Sequence, residues 1–266
     1  MARNATSRHV LVDKIEGVQD KNNGIMDKNG TGRVAEKRSE MERLAINSTQ
    51  KADSLLQVQV QHSHFTLMNR YPDEYSLVKD CFVGRDNFDD FKVLSFGSST
   101  GEEAISLATL YFNGAEHQNV TIYGADVDHK TLTKAKDNVD QLGSQIQRTI
   151  IFFNGKYTPI SVHGKYDVIF ANSVLCFHPK QLNEILAHFP FSQYEESLEL
   201  LDASLKDGGL LAMVNMNYNF EETALATRYR PIGKCSGNFV PRINRSVNTF
   251  VQVVGQSMDC VWMKLF

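Results

Sequence analysis

A strand that turns through two glycines into a helix is the feature that most constrains this chain. The mostly apolar stretch 93–96 runs into Gly97-Ser98-Ser99-Thr100-Gly101, and residues 104–110 continue with the spacing of a helix. Such a turn directs backbone N–H groups at one spot, where they can bind a polar ligand. The segment predicts a cradle for a nucleotide-like small molecule, although Gly-x-x-x-Gly also occurs in ordinary loops.

A second predicted strand, 120–125, ends in Asp126, which lies 25 residues after Gly101. An acid about 20 residues beyond the glycines binds the ribose in dinucleotide-binding units. We therefore expect the Asp126 carboxylate to accept hydrogen bonds from ribose hydroxyls, the alternative being a cap or turn residue. Asp128 follows in position to cap a helix that begins near Lys130.

From Phe91 onward, predicted strands and helices alternate. The strands are expected at 92–96, 120–125, 148–153, 166–171 and 209–215, and the helices at 101–112, 130–141, 180–187 and 193–205. This alternation predicts an α/β fold with a doubly wound, mostly parallel sheet. Residues 250–254 and 260–266 also have strand character and are expected to close the edge of the sheet.

The composition along the chain predicts three regions. Residues 1–33 are polar and rich in Asn, Asp, Lys and Gly, which predicts a flexible tail. Residues 34–90 are expected to form a helical N-terminal extension or lid, with helices at 34–61 and 75–82. The core is expected to begin at Phe91, so that 91–266 form the catalytic domain.

Charge and cysteine usage exclude several classes of protein. A net charge of −3 without a basic stripe disfavours a general nucleic-acid binder, and no apolar run reaches the about 18 residues of a membrane span. The first residues lack the apolar stretch of a secretory signal. Four scattered cysteines without Cys-x-x-Cys predict reduced thiols in a cytoplasmic protein and no metal site. His62 and His64 lack further ligands nearby.

Polar residues follow the predicted strands at the points where a parallel sheet binds its ligand. They are the glycine turn 97–101, Asp126 with Val127, Asn154 with Gly155, and Asn172 with Ser173. The amide of Asn154 suits an adenine edge, but asparagine is also a common turn residue. Asn172 is expected to face the reacting end of the ligand.

These motifs resemble those of class I S-adenosylmethionine-dependent methyltransferases, with their Rossmann-like methyltransferase fold. Within that group the chain is most similar to the bacterial chemotaxis receptor (CheR-type) enzymes, which methylate glutamate side chains. The matching stretches are 98–103 (Ser-Ser-Thr-Gly-Glu-Glu), 124–128, 166–170 and 205–211. The resemblance implies S-adenosylmethionine as cofactor, with its ribose on Asp126 and its amino-acid end on Glu102 or Glu103. Of these two glutamates we predict Glu102, although acids in a first helical turn also complement the helix dipole.

Two further residues are predicted to act at the reacting end. The stretch 65–72 is similar to a family segment ending in Phe-Arg-Asp-Pro, in which Arg70 corresponds to an arginine that covers the active site. Its guanidinium can bind a carboxylate bidentately, but a surface arginine is the competing interpretation. His178 lies just past the fourth strand and is a candidate base, or else a loop histidine beside Pro179.

The chain departs from the family at several positions, so the resemblance does not identify its methyl acceptor. Asn172-Ser173 replaces the usual Arg-Asn, Phe177 replaces a tyrosine, and the family's receptor-docking segments have no clear counterpart. We predict a methyltransferase that acts on a small molecule or a protein side chain. Residues 217–248 are expected to help build the acceptor pocket or, equally, to be surface packing; their aromatic and basic residues, which would suit an anionic or aromatic molecule, are Tyr218, Phe220, Tyr229, Arg230, Phe239 and Arg242. The alternative is a non-catalytic S-adenosylmethionine-binding regulatory protein. A nicotinamide-dependent oxidoreductase is disfavoured, because Gly-x-Gly-x-x-Gly is missing.

Overall fold

A computed structural model describes residues 63–83, 88–114, 117, 119–177, 182–247, 249–251 and 253–266, without the side chains of Gln145, Arg148 and Leu182. The predicted tail at 1–33, the predicted helix at 34–61, His62 and His178 lie outside the described residues. Among the described residues, no helix is long and apolar enough to cross a membrane.

The elements alternate as the sequence predicts. The helices are α1 (Pro72–Asp80), α2 (Glu102–Ser106), α3 (His129–Asp140), α4 (Ser144–Thr149), α5 (Leu182–His188) and α6 (Phe191–Ser204). The strands are β1 (Phe91–Phe96), β2 (Val120–Asp126), β3 (Ile150–Asn154), β4 (Tyr166–Phe170), β5 (Leu205–Ala212), β6 (Tyr229–Cys235), β7 (Arg242–Asn244), β8 (Thr249–Val251) and β9 (Met258–Lys264). A π-helical turn, Leu107–Tyr111, extends α2.

Seven strands form one sheet in the order β3-β2-β1-β4-β5-β9-β6. The first five are mutually parallel, and β9 runs antiparallel to both of its neighbours. The predicted α/β class with a doubly wound, mostly parallel sheet is confirmed. The order reverses between β1 and β4, and ligands bind at such a switch point, outside the carboxyl ends of the strands.

The prediction for the C-terminal strands is partly wrong. Strand β9 lies inside the sheet, between β5 and β6, and its side chains are buried on both faces. The edge strand is β6, which contains Pro231 and Gly233 and for that reason shows little strand signal in the sequence. Strand β8 pairs with β7 in a separate two-stranded sheet.

The hydrophobic core begins before Phe91, contrary to expectation. Tyr71, Tyr75 and Val78 are buried in the same cluster as Phe91. Helix α1 starts at Pro72, whose fixed φ and missing N–H suit a first helical position, and it packs closely on β6. The helix is therefore part of the layer that covers one face of the sheet. The other boundaries of the three predicted regions stay predictions.

Two of the cysteines predicted to be reduced form a disulfide. Cys235 at the end of β6 is bonded to Cys260 on the neighbouring strand β9, whereas Cys81 and Cys176 are free. The two residues are 25 positions apart, so only the pairing of the strands brings them together. A structural disulfide is more typical of oxidising compartments, which weakens the sequence-based prediction of a cytoplasmic location.

Candidate functional site

The glycine turn after β1 requires glycine at both ends. Gly97 and Gly101 have φ angles of 75° and 94°, in the left-handed region. A Cβ on Gly97 would lie 2.7 Å from Val174 Cγ2, and one on Gly101 would lie 2.9 Å from Phe152. The N–H groups of Gly97 and Ser98 both donate to the Ala125 carbonyl, which ties the turn to β2.

A small cavity of about 50 Å³ lies beside this turn, at the carboxyl ends of β1 and β4. Its walls come from the segment before α1, the glycine turn, α2 and the residues after β4. The lining residues are Ser63, Phe65, Thr66, Arg70, Tyr71, Tyr75, Gly97, Ser98, Ser99, Glu103, Asn172 and Ser173. Six of the fourteen predicted site residues thus meet here, namely Arg70, Gly97, Ser98, Ser99, Asn172 and Ser173.

The acid in this cavity is Glu103 and not the predicted Glu102. Glu103 accepts hydrogen bonds from Ser95 Oγ at 2.7 Å, Tyr75 Oη at 3.1 Å and Asn172 Nδ2 at 2.9 Å. Burial raises the pKa of Glu103 despite these bonds, which act in the opposite direction. The Glu102 carboxylate instead accepts the Thr100 hydroxyl outside the cavity. Adjacent helical residues point in different directions, so only Glu103 of this pair lines the cavity.

A second buried acid, Glu74 on α1, shares a hydrogen-bond donor with Glu103, and the sequence analysis did not predict it. Asn172 Nδ2 donates to Glu74 Oε2 at 2.5 Å, and Glu74 Oε1 has no hydrogen-bond partner in the described part of the chain. Burial, followed by the charge of Glu103, raises the pKa of Glu74 well above its ordinary value. In the sequence, an acid in the first turn of a helix is indistinguishable from a residue that complements the helix dipole.

Arg70 reaches the cavity from the segment before α1. Its Nη1 donates to the Phe65 carbonyl at 2.9 Å, and its guanidinium lies 5.1 Å from the centres of both the Phe65 and Tyr71 rings. These cation–π contacts hold the side chain over the glycine turn. The cavity therefore combines a cation with a buried acid.

Asp126 ends β2 beside the cavity without lining it. One carboxylate oxygen accepts Ser99 N–H at 2.9 Å and the other accepts Asp128 N–H at 3.0 Å. Asp128 caps α3 as predicted, accepting Lys130 N–H at 2.7 Å, and this bond is the largest cause of its lowered pKa. His64 contacts the neighbours of Asp126: its carbonyl accepts the Ser99 hydroxyl, and its Nε2 lies 3.4 Å from Asp128 Oδ2.

The remaining predicted cofactor residues lie outside the cavity walls. Asn154 Nδ2 donates to the Val127 carbonyl at 3.2 Å, and the Gly155 N–H donates to the Asp126 carbonyl at 2.9 Å. These bonds join the ends of β2 and β3, which is the turn role that the sequence left open for Asn154. Contact of these residues with an adenine ring stays a prediction. Thr100 and Gly101 also lie outside the lining.

Beyond β4 and β5, a hydrogen-bonded group includes two residues that the sequence did not reveal, Tyr71 and Asn215. The hydroxyls of Tyr71 and Ser173 lie 2.5 Å apart, and Asn215 Nδ2 donates to both at 3.0 Å. Asn215 has a φ of 62° and accepts the Phe239 N–H at 2.7 Å. Burial raises the pKa of Tyr71 to about 12, so this hydroxyl is neutral at physiological pH.

Part of the chain matches a model of a known protein family. Residues 74–142 match the family model described as "CheR methyltransferase, SAM binding domain". The matched segment is about a quarter of the chain, and over it the chain is similar to CheR methyltransferases. The match covers α1 through α3 and so includes the glycine turn, Glu103 and Asp126. No protein of curated function matches the chain.

Several solved methyltransferase structures match part of this chain. Magnesium protoporphyrin IX methyltransferase from Synechocystis PCC 6803 has 15% identity and a TM-score of 0.41, over 72% of this chain and 78% of that one. A methyltransferase from Geobacter sulfurreducens has 18% identity and a TM-score of 0.38, over 59% of this chain and 53% of that one. One from Thiobacillus denitrificans has 19% identity and a TM-score of 0.36, over 60% and 52%. The chain thus spans about half the length of the latter two proteins.

Proposed function

We propose that this chain is an S-adenosylmethionine-dependent methyltransferase whose cofactor lies across the carboxyl ends of β1, β2 and β4. The observation that carries the proposal is a cavity at the switch point of the sheet, lined by both Arg70 and the buried acid Glu103. The methionine end of the cofactor has a carboxylate and an ammonium group. A cation and an acid in one small cavity match that pair of charges.

The polar atoms of the cavity support this assignment. Ser98 Oγ is buried against the cavity and has no hydrogen-bond partner in the described chain, so a ligand that bonds to it would remove an energetic cost. Arg70 would bind the cofactor carboxylate, and Glu103, fixed by three donors, would bind the ammonium group. Hydrogen bonds to charged groups contribute about 1.5–3 kcal/mol each.

Asp126 would hold the ribose. Each of its carboxylate oxygens accepts one backbone N–H, and a carboxylate has about four acceptor sites. The remaining lone pairs are therefore available to the ribose hydroxyls. The two N–H bonds fix the direction of the carboxylate before a ligand arrives, which lowers the entropic cost of binding.

The segment 63–70 would have to move when the cofactor binds. A cavity of about 50 Å³ has room for a few water molecules and not for the whole cofactor, and the bond from the Ser99 hydroxyl to the His64 carbonyl closes the path toward Asp126. The same segment carries Arg70, so its return over the ligand would deliver the guanidinium and exclude water together. Exclusion of water strengthens the electrostatic contacts in the site.

The bound cofactor supplies a methyl group on a sulfonium, which an acceptor takes by in-line displacement. This chain would contribute mainly by positioning the reactants. Tyr71, Ser173 and Asn215 form a rigid polar wall beside the cavity, in which the Tyr71 hydroxyl keeps its proton. We propose as acceptor a small molecule or a protein side chain.

Calorimetry with S-adenosylhomocysteine and with NAD tests the proposal. We expect S-adenosylhomocysteine to bind and NAD not to bind. Binding of NAD alone would contradict the assignment. Release of S-adenosylhomocysteine from S-adenosylmethionine in the presence of acceptor pools then distinguishes the enzyme from the alternative, a non-catalytic protein that binds the cofactor for regulation.

A further inference from the structure

A second, larger cavity of about 390 Å³ lies over the ends of β6 and β9. Its size falls in the range of about 300–1,000 Å³ that is typical of small-molecule sites. It shares no lining residue with the first cavity. The lining residues are Asn219, Glu221, Glu222, Lys234, Arg242, Gln256, Ser257, Met258 and Asp259.

Arg242 is buried in the wall of this second cavity, and two of its three guanidinium nitrogens have no hydrogen-bond partner among the described residues. Only 4% of the residue is exposed. Its Nη1 donates to Asn219 Oδ1 at 2.7 Å, whereas Nε and Nη2 have no hydrogen-bond partner in the described chain. Nε and Nη2 form one edge of the guanidinium, the edge that binds a carboxylate with two parallel bonds. Buried donors of a cation that lack partners are costly, so this edge points to an anionic ligand group.

Glu222 is the acidic counterpart of Arg242 in the same wall. Its Oε1 accepts Asn219 Nδ2 at 3.0 Å, and its Oε2 is buried without a partner among the described residues. The amide of Asn219 therefore lies between the acid and the base and bonds to both. Because the amide separates them, each of the two charges keeps a free edge for a ligand.

We propose that the second cavity binds a small zwitterion of the α-amino acid class. The ligand carboxylate would bond to Nε and Nη2 of Arg242, and its ammonium group would bond to Oε2 of Glu222. The lining has two cations, Lys234 and Arg242, and three acids, Glu221, Glu222 and Asp259. A simple anion would face those acids and a simple cation would face the buried guanidinium, whereas a zwitterion satisfies both. This inference does not depend on methyl transfer.

The test measures binding to the full chain by thermal shift and then by calorimetry. The probes are the standard amino acids, each with its α-carboxamide and its N-acetyl derivative. We expect at least one free amino acid to bind, and both of its derivatives to bind about tenfold more weakly or worse, since each lacks one charge. The proposal is overturned if no free amino acid binds, or if a derivative binds as tightly.

Excess S-adenosylhomocysteine distinguishes the two cavities. We expect the amino acid to stay bound in the second cavity when S-adenosylhomocysteine is added. Displacement of the amino acid would place it in the first cavity and overturn the proposal. If S-adenosylhomocysteine itself does not bind, the proposed function fails, and the variants below still decide the question for the second cavity.

Variants of the wall locate the binding. We expect Arg242→Met and Glu222→Gln each to weaken amino-acid binding by about ten- to hundredfold. Asn219→Ala should weaken it as well, because Arg242 and Glu222 can then pair with each other. Arg230→Met, on the exposed side of β6, is the matched control and should bind normally. If Arg242→Met does not fold, Glu222→Gln and Asn219→Ala carry the test, and normal binding by both overturns the proposal.

Discussion

Glu74 and Glu103 share a single amide group, since Asn172 Nδ2 lies 2.5 Å from Glu74 Oε2 and 2.9 Å from Glu103 Oε2. Two buried carboxylates this close do not both ionise. Bonds from Ser95 and Tyr75 favour the charged form of Glu103, whereas Glu74 accepts only the amide. The proton of the pair therefore resides on Glu74, and Glu103 presents the charge to the cavity.

Replacing Glu74 by Gln should make the stability of the protein less dependent on pH. A carboxyl group whose pKa is raised by folding costs no stability below its unfolded pKa, and destabilises the folded state as pH rises through the folded pKa. The variant lacks this cost, so we expect a higher Tm than the parent on the alkaline side of the ordinary carboxyl range. Thermal unfolding across a pH series measures the difference in Tm between variant and parent, with Glu102→Gln as the control. Parallel curves for parent and variant would contradict a protonated Glu74.

The neighbours Glu102 and Glu103 offer a matched pair for the cofactor site. Glu103→Gln should weaken S-adenosylhomocysteine binding by about ten- to hundredfold, because a charged partner of the ammonium group is lost. Glu102→Gln should bind normally, since the Glu102 carboxylate bonds to Thr100 outside the cavity. Calorimetry on both variants measures the contrast. A loss of affinity in Glu102→Gln alone would favour Glu102, the residue predicted from the sequence. Equal losses in both variants would contradict a role for Glu103 alone.

The parallel half of the sheet could be predicted because local patterns specify it. The strand, glycine turn and helix at 93–110 need no distant partner to be recognised, and Asp128 at the start of α3 has the side chain of a helix cap. The antiparallel half could not be predicted in the same way. Strand β6 becomes a strand through its pairing with β9 rather than through its own propensity.

The site residues that the sequence did not identify all depend on contacts between distant segments. Tyr71 and Asn215 are 144 positions apart and meet through a side-chain hydrogen bond. Asn215 was expected inside a strand, but it lies beyond β5 in a left-handed conformation that Asn tolerates well. The choice between Glu102 and Glu103 likewise depends on which side of α2 faces β4. His178 lies outside the described residues, and its role as a base stays a prediction.

Asp126→Asn should separate the ribose role from the structural role of this residue. The amide oxygen of Asn can still accept one backbone N–H, but the side chain loses the charge that binds two hydroxyls. We expect S-adenosylhomocysteine affinity to fall by about ten- to hundredfold, while Tm changes little. Asp126→Ala should lose affinity and also stability, because the N–H groups of Ser99 and Asp128 lose their acceptor. Unchanged affinity in both variants would contradict the ribose role.

Reduction of the Cys235–Cys260 bond should destabilise the edge of the sheet that supports α1. The bond closes a loop between residues 25 positions apart, and cross-links of this kind contribute about 2–4 kcal/mol by restricting the unfolded chain. The free energy of unfolding of the Cys235→Ser/Cys260→Ser variant, measured in urea, should be lower than that of the parent by this amount. Cys81→Ser, at an exposed free thiol, should lose none.

Reductant should lower the urea midpoint of the parent to that of the double variant and leave the double variant unchanged. Because α1 packs on β6 and carries Tyr75 and Glu74, the same treatment should also weaken S-adenosylhomocysteine binding. A parent protein whose midpoint is insensitive to reductant, with both thiols reactive before reductant is added, would show that the two cysteines are not bonded in solution.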